Sequence, residues 1–385
     1  MYILSKLPPE VRELIRRHGH LYEKILFRSR PLYLLIILLA FLHILLHPLP
    51  VLRRVKNAYT FKLKELENEE KDLFFVSAYY YGKDMYENQV SLVFVAPRDA
   101  NWERRQIVVI RSNETNSVLE TMRVRRASPH NVCKFVTLVG SIILKDELLN
   151  LEILVNRNVA DISYLPADAG RRDLVVCTPP IYHSARWQNV LLISHIYARF
   201  GGHLQAYVSS ATLPFFQLLE EIQRIKGVSV DPLPDFYGSS RLGEIEFGGV
   251  TVANCDCLNK YKSSASFITF LDWDEIIFPT SHDSYFYEYA HFFESEIYVG
   301  LLEFKDRRNH SKIVTRPLLI DSVWVNEPAE KPYKMSSKQM SPNKVYQLTE
   351  KEGLDEMIEG NFPGNEILRT DDLQAIRGDL KRYAH

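Results

Sequence analysis

Three acids stand close together at Asp272, Asp274 and Glu275, in the stretch Ser266-Phe-Ile-Thr-Phe-Leu-Asp272-Trp-Asp274-Glu275-Ile-Ile-Phe-Pro279. Residues 267–272 are apolar on both faces, with aromatic and β-branched character, the pattern of a strand buried in a parallel sheet. Open α/β sheets bind ligands outside the carboxyl ends of their strands, so carboxylates at i and i+2 there can face one pocket. Two such charges repel unless a cation lies between them. A hard divalent ion, Mn²⁺ or Mg²⁺, can bridge them to a phosphate-bearing ligand. An isolated D-x-D is more often a solvated loop ending a strand, so the surrounding elements have to decide.

Those elements are α/β in character after a polar break at 166–172. Strands are predicted over 174–177, 204–208 and 228–230, and helices over 186–200, 214–226 and 250–261, each helix carrying a 3.6-residue apolar period or a glycine stop. This β-α-β-α-β order, followed by a helix and the acidic strand, describes one open sheet with right-handed crossovers, the arrangement of a domain that binds a nucleotide-diphosphate sugar. Its first loop would take the nucleotide and its later acids the metal on the diphosphate. Residues 73–165 read differently, as short runs of Val, Ile, Phe and Tyr separated by turn-forming clusters, which predicts a small all-β sandwich-like domain. Residues 53–72 are charged and helix-compatible, a stem. Residues 331–346 read as irregular, and the tail to residue 385 carries no recognisable chemistry.

Composition excludes a disordered chain, since 46% of residues are hydrophobic and 12% aromatic. With 47 Lys and Arg against 48 Asp and Glu, nothing global points to nucleic acid. Residues 32–52 contain no Asp, Glu, Lys or Arg and are flanked by Arg28, Arg30, Arg53 and Arg54. They read as an uncleaved transmembrane helix over 31–52, with a buried core helix as the alternative. The basic residues on its two sides balance, so charge does not set the topology. The sequons at Asn113 and Asn309 would be usable if the region after the anchor is luminal. Four cysteines fit no zinc spacing; Cys133 and Cys177 can form a disulfide, or all four can be free and buried.

The ordered set Val176-Cys177-Thr-Pro-Pro-Ile-Tyr182, Trp187, Tyr197-Ala-Arg-Phe-Gly201-Gly202, Ala206-Tyr207-Val-Ser-Ser210, Asp256-Cys257-Leu258-Asn-Lys-Tyr261 and Phe270-Leu-Asp272-Trp-Asp274-Glu275 resembles glycosyltransferase family 92. The resemblance spans about 174–326. It implies a GT-A fold over 173–330 and metal-dependent, inverting transfer of galactose from UDP-galactose to a glycan on a protein or lipid. It also implies a single-pass type II Golgi protein, with 1–30 a cytosolic tail, the catalytic region luminal and 331–385 a C-terminal extension. Asp272 and Asp274 are implied metal ligands, and Thr178, Pro180, Arg186, Asp256 and Asp272 contacts to the donor. Cys255 stands where the family commonly has Asn, and Asn326 where it has His. As third metal ligand Asn326 would offer an oxygen that Mn²⁺ accepts and Zn²⁺ disfavours.

In an inverting transfer a carboxylate takes the proton of the acceptor hydroxyl as it attacks the anomeric carbon. Glu294, Asp306 and Glu327 are candidates, Glu327 first because it adjoins Asn326. The aromatics over 285–293 are either an acceptor cleft or core. Two rivals remain at this level. One is a phosphatase of the haloacid-dehalogenase type, which places D-x-D at a strand end but wants Thr or Val where Ile276 stands. The other is a non-catalytic membrane-anchored scaffold that binds a sugar nucleotide without turnover.

Overall fold

The structure, a computed structural model, describes residues 64–66, 73–82, 88–100, 107–112 and 370–383 and, with short breaks, 117–348. Contacts divide the chain into Met1–Asn57 and Ala58–His385, and all described residues lie in the second part. The expected tail, the 31–52 anchor and the Asn113 and Asn309 sequons lie outside the described residues. Among the described residues no helix is long and apolar enough to cross a membrane.

Among the described residues nine strands come first: β1 (Lys64–Leu66), β2 (Leu73–Tyr81), β3 (Gln89–Pro97), β4 (Ile107–Ser112), β5 (Ser117–Arg126), β6 (Phe135–Ile143), β7 (Asn150–Val155), β8 (Asn158–Asp161) and β9 (Leu165–Pro166). They join in the order β1-β2-β3-β6-β5-β4-β7-β8, with β9 parallel to β2. Lys64–Leu66 pairs with Leu73–Phe75, so that part of the supposed stem is an edge strand and not a helix. Strand β3 explains the layer. Its side chains alternate faces, so Val90, Leu92, Phe94 and Ala96 enter one apolar cluster with Leu151 and Ile153 of β7. Val93 and Val95 point the other way, into a second cluster shared with the α/β region.

The α/β region contains β10 (Arg172–Cys177), β11 (Ile181–His183), α1 (Trp187–Arg199), β12 (Gly202–Ala211), α2 (Leu213–Gln223), β13 (Val228–Pro232), α3 (Val250–Tyr261), β14 (Ala265–Phe270), β15 (Glu275–Ile277), α4 (Tyr285–Ser295), β16 (Val299–Lys305) and β17 (Ser311–Thr315). It continues through β18 (Val323–Trp324), β19 (Glu327–Pro328), β20 (Ser336–Gln339), β21 (Val345–Gln347) and α5 (Thr370–Tyr383), so two stretches of the segment expected to be irregular are strands. The sheet order is β11-β12-β10-β14-β17-β16-β20, with β13 also on β12. Strand β10 runs parallel to both β12 and β14, and β17 closes against β14 antiparallel. From residue 172 to 270 the predicted alternation is present. The acidic strand ends at Phe270, leaving Asp272 in the turn beyond it.

Helix α3 is the wall between the two sheets. Gly249 caps it at φ 89°, where an added Cβ would lie 2.6 Å from the Phe236 ring, so only glycine fits. Of its twelve residues ten are buried. Val252, Ala253, Cys255, Cys257 and Leu258 pack with Phe74, Val93 and Phe135 of the antiparallel layer and with Val175, Ile268 and Phe270 of the other sheet. Of these, each Val, Leu, Ile and Phe side chain contributes roughly 1.5–3 kcal/mol by burial. A disulfide joins Cys177, at the end of β10, to Cys257, while Cys133 and Cys255 are free. Neither alternative open from the sequence, a Cys133–Cys177 bridge or four free thiols, is found; the bridge formed ties α3 to the central strand. On the opposite face of the sheet α1, α2 and α4 form a separate core. The C-terminal helix α5 docks there through His195–Asp379 and Arg199–Asp372 contacts of 2.8 Å each.

Candidate active site

The turn after β14 is held by its own atoms. Leu271 N donates to Cys177 O at 3.1 Å, which keeps the chain against β10, and Glu275 N donates to Asp272 O at 3.1 Å. Asp272 N in turn donates to Glu275 Oε2 at 3.0 Å. Trp273 Nε1 donates to Pro179 O at 2.9 Å, joining the turn to the first loop. The result brings carboxylate oxygens of Asp272, Asp274 and Glu275 within 4.8 Å of one another. Asp272 is exposed, Asp274 half-buried and Glu275 buried.

A buried lysine balances them. Lys312 Nζ, from β17, lies 3.0 Å from Asp272 Oδ2 and 2.7 Å from Glu275 Oε2. Burial draws its pKa down, but the charges of Glu275 and Asp272 outweigh that and hold it above its ordinary value. Asn326 completes the set: with its amide oriented so that both ends find partners, it donates to Phe270 O at 3.2 Å and accepts from Lys312 Nζ at 2.8 Å. Its side chain is thereby engaged by lysine and backbone, not aimed at the exposed acids. The third metal-ligand role expected of Asn326 does not fit this geometry.

Asp272 and Asp274 do fit a hard divalent cation. Both supply oxygen, the donor such ions prefer. Asp272 uses Oδ2 for Lys312, and Asp274 Oδ2 accepts from Gln347 Nε2 at 3.3 Å. Each keeps a second carboxylate oxygen for a ligand. Three carboxylates against one ammonium leave the cluster negative.

The other expected site residues are spread more widely. Thr178 is buried, and both its N and Oγ1 donate to Gln205 O. Its hydroxyl serves the sheet, not a nucleotide. Pro180 is buried beside it, and Arg186 is exposed at the N-cap of α1. Asp256 is 4% exposed on α3 and accepts from Tyr207 at 2.6 Å and Tyr79 at 3.1 Å. It fastens the two sheets together and is closed to a nucleotide. Glu327 is exposed on β19, one residue from Asn326, whereas Glu294 is exposed on α4. Asp306 lies outside the described residues. Of the 285–293 aromatics, Tyr285, Tyr289 and Phe293 are core, while Tyr287 is 65% exposed. The residue sequence reasoning passed over is Lys312, and its signal was a lysine opening an otherwise apolar strand, Lys312-Ile-Val-Thr315.

A mixed sheet whose parallel core ends in paired acids, with a buried cation behind them, is the architecture of an α/β domain with a polar site at its strand ends. Residues 172–308 match the family model described as glycosyltransferase family 92. Through this segment the chain is similar to glycosyltransferase family 92. One Caenorhabditis elegans family 92 protein is 30% identical over 230 residues, covering 56% of this chain and 45% of the relative. A second from the same organism is 28% identical over 263 residues, covering 65% and 51%. The chain thus spans about half the length of these two curated relatives. A crystal structure of S. aureus TarS is similar at a TM-score of 0.31 and 15% identity, covering 53% of this chain and 68% of that one. Lys312 and Asn326 lie beyond the family-matched segment.

Proposed function

We propose that the chain is an inverting glycosyltransferase of GT-A type that transfers galactose from UDP-galactose to a glycan. The observation that carries this reading is the convergence of the Asp272 and Asp274 carboxylates at the carboxyl end of β14, inside the family-matched segment. Asp272 and Asp274 would hold Mn²⁺ or Mg²⁺, and the ion when bound stabilises charge on the leaving diphosphate. Lys312 holds Oδ2 of the Asp272 carboxylate before the donor arrives, which reduces the side-chain ordering needed at that moment. Glu327 is the proposed base. It takes the acceptor hydroxyl proton while the new bond forms between that oxygen and the anomeric carbon; the bond from that carbon to the UDP oxygen breaks, and its electron pair leaves with UDP.

The Cys177–Cys257 disulfide supports a luminal placement, since disulfides persist in oxidising compartments. Together with the uncharged run at 32–52, it favours a type II Golgi protein. A second reading, sugar-nucleotide binding without turnover, draws on the engagement of Asn326 by Lys312 and Phe270. One experiment separates the two. UDP release is measured with UDP-galactose, Mn²⁺ or EDTA and a pool of glycans, in wild type and Asp274→Asn. Metal-dependent release lost in the variant supports transfer; donor binding with no release under any condition supports the scaffold.

A further inference from the structure

The hairpin that carries Asn326 also builds a second surface. Val325 and Asn326 are the two turn residues between β18 and β19, and Trp324 and Glu327 are directly opposed across it. Opposed residues of an antiparallel pair project to the same side. Val325 has φ 54°, a left-handed conformation that is an outlier for a β-branched residue. Surrounding bonds impose it. Asn254 Nδ2 donates to Val325 O at 2.5 Å, Cys255 Sγ donates to Val323 O at 3.3 Å, and Asn326 is held on Phe270 and Lys312.

Just before α3 a second left-handed segment meets this hairpin. Phe247 has φ 45° and ψ 39°, and Gly248 and Gly249 also have positive φ. Tyr182, from the strand following the first loop, donates its hydroxyl to Gly248 O at 2.6 Å and anchors the bend. The bend holds Phe247 outward, 55% exposed, with its ring centroid 6.1 Å from that of Trp324 at an interplanar angle of 59°. A phenylalanine left 55% exposed on a left-handed backbone forgoes much of the benefit of burial. Strain maintained by neighbouring bonds clusters where a ligand is gripped.

We infer that Phe247 and Trp324 form the shelf on which a sugar ring of the acceptor rests, beside the Glu327 carboxylate. The inference builds on the transferase reading and names the acceptor subsite of that same site. Aromatic faces take the C–H face of a pyranose, and their angled pairing makes a corner that a ring can enter. Glu327, on the same side of the hairpin as Trp324, meets the hydroxyls at the edge of a ring so held. The hairpin tip reaches Lys312, and Lys312 reaches Asp272, so the shelf is mechanically continuous with the donor acids.

The test uses the full chain with UDP, methyl β-galactoside and methyl β-N-acetylglucosaminide as probes, followed by saturation-transfer NMR and by tryptophan fluorescence. In wild type UDP and at least one glycoside bind. Phe247→Ala weakens the glycoside by about tenfold and leaves UDP affinity and the melting temperature unchanged, while Phe247→Tyr keeps the glycoside. Glycoside binding unchanged in Phe247→Ala, or absent from wild type with UDP bound, overturns the shelf. Failure of UDP itself to bind counts against the transferase reading, and glycoside binding lost in Phe247→Ala would still establish the shelf in that case.

Discussion

Lys312 Nζ and Glu275 Oε2 are 2.7 Å apart, and each side chain is only 3% exposed. Removing one partner strands the other charge away from water. Lys312→Met is expected to cost about 3–5 kcal/mol of stability, read as the urea midpoint. Adding Glu275→Gln to that variant should restore part of the loss. A Lys312→Met protein as stable as wild type would show that Glu275 does not depend on the lysine.

Mn²⁺ titration by calorimetry distinguishes a ligand from a residue that acts behind one. Asp274→Asn is expected to weaken binding by about 100-fold, and Asn326→Ala by about tenfold or less. Equal losses would return Asn326 to the ligand set.

Burial pushes the Asp256 carboxyl above its ordinary value, against the hydrogen bonds from Tyr207 and Tyr79. A carboxyl raised in the folded state contributes stability that is whole below its unfolded value and lost as pH rises through the folded one. Asn does not titrate, so the stability advantage of wild type over Asp256→Asn should shrink as pH rises from acid toward neutral. UDP affinity should not change. A large loss of UDP binding would instead make Asp256 a donor contact.

His203 behaves oppositely. It is buried against Tyr261, whose hydroxyl donates to Gln205 Oε1 at 2.6 Å and so receives the imidazole N–H at 3.0 Å. Burial, with Arg172 and Lys260 nearby, lowers its pKa from 6.5 to about 4. The unfolded chain takes up a proton below 6.5 while the folded one does not, so stability falls as pH drops from 6.5 toward 4, by up to about 3 kcal/mol. His203→Phe should flatten that part of the curve, measured as urea midpoints at neutral and acid pH.

Cys257→Ser removes the link between α3 and β10 and should cost about 2–5 kcal/mol. Dithiothreitol should destabilise wild type by a similar amount and leave a Cys177→Ser, Cys257→Ser double variant unaffected. Cys255, buried and with its thiol pushed up to about 12, should resist alkylation in the folded protein.

The α/β alternation was readable because each element carries a local signature: apolar period in α1 and α2, glycine stops, and an unbroken apolar run in β14. The acids were readable because position at a strand end is itself a chemical cue. Lys312 was not, since a buried ion pair is a long-range relation that leaves only an unexplained charge in an apolar strand. Asp256 shows the reverse failure. Its type and place on α3 fit a nucleotide contact, yet the tyrosines that occupy it come from β2 and β12, which no local pattern brings together. The disulfide eluded spacing for the same reason, as it spans 80 residues.

Helix α3 is covered by sheet on both sides, and this bears on how the protein can be divided. A fragment cut to the family-matched segment would keep the helix and discard the antiparallel strands over it, baring Val252 and Leu258 and leaving Asp256 without Tyr79. The front half of the described fold is therefore no detachable module that recombination or cloning could exchange freely. The two sheets should melt in one calorimetric transition, and lineages that alter β2 or β3 must alter α3 in step.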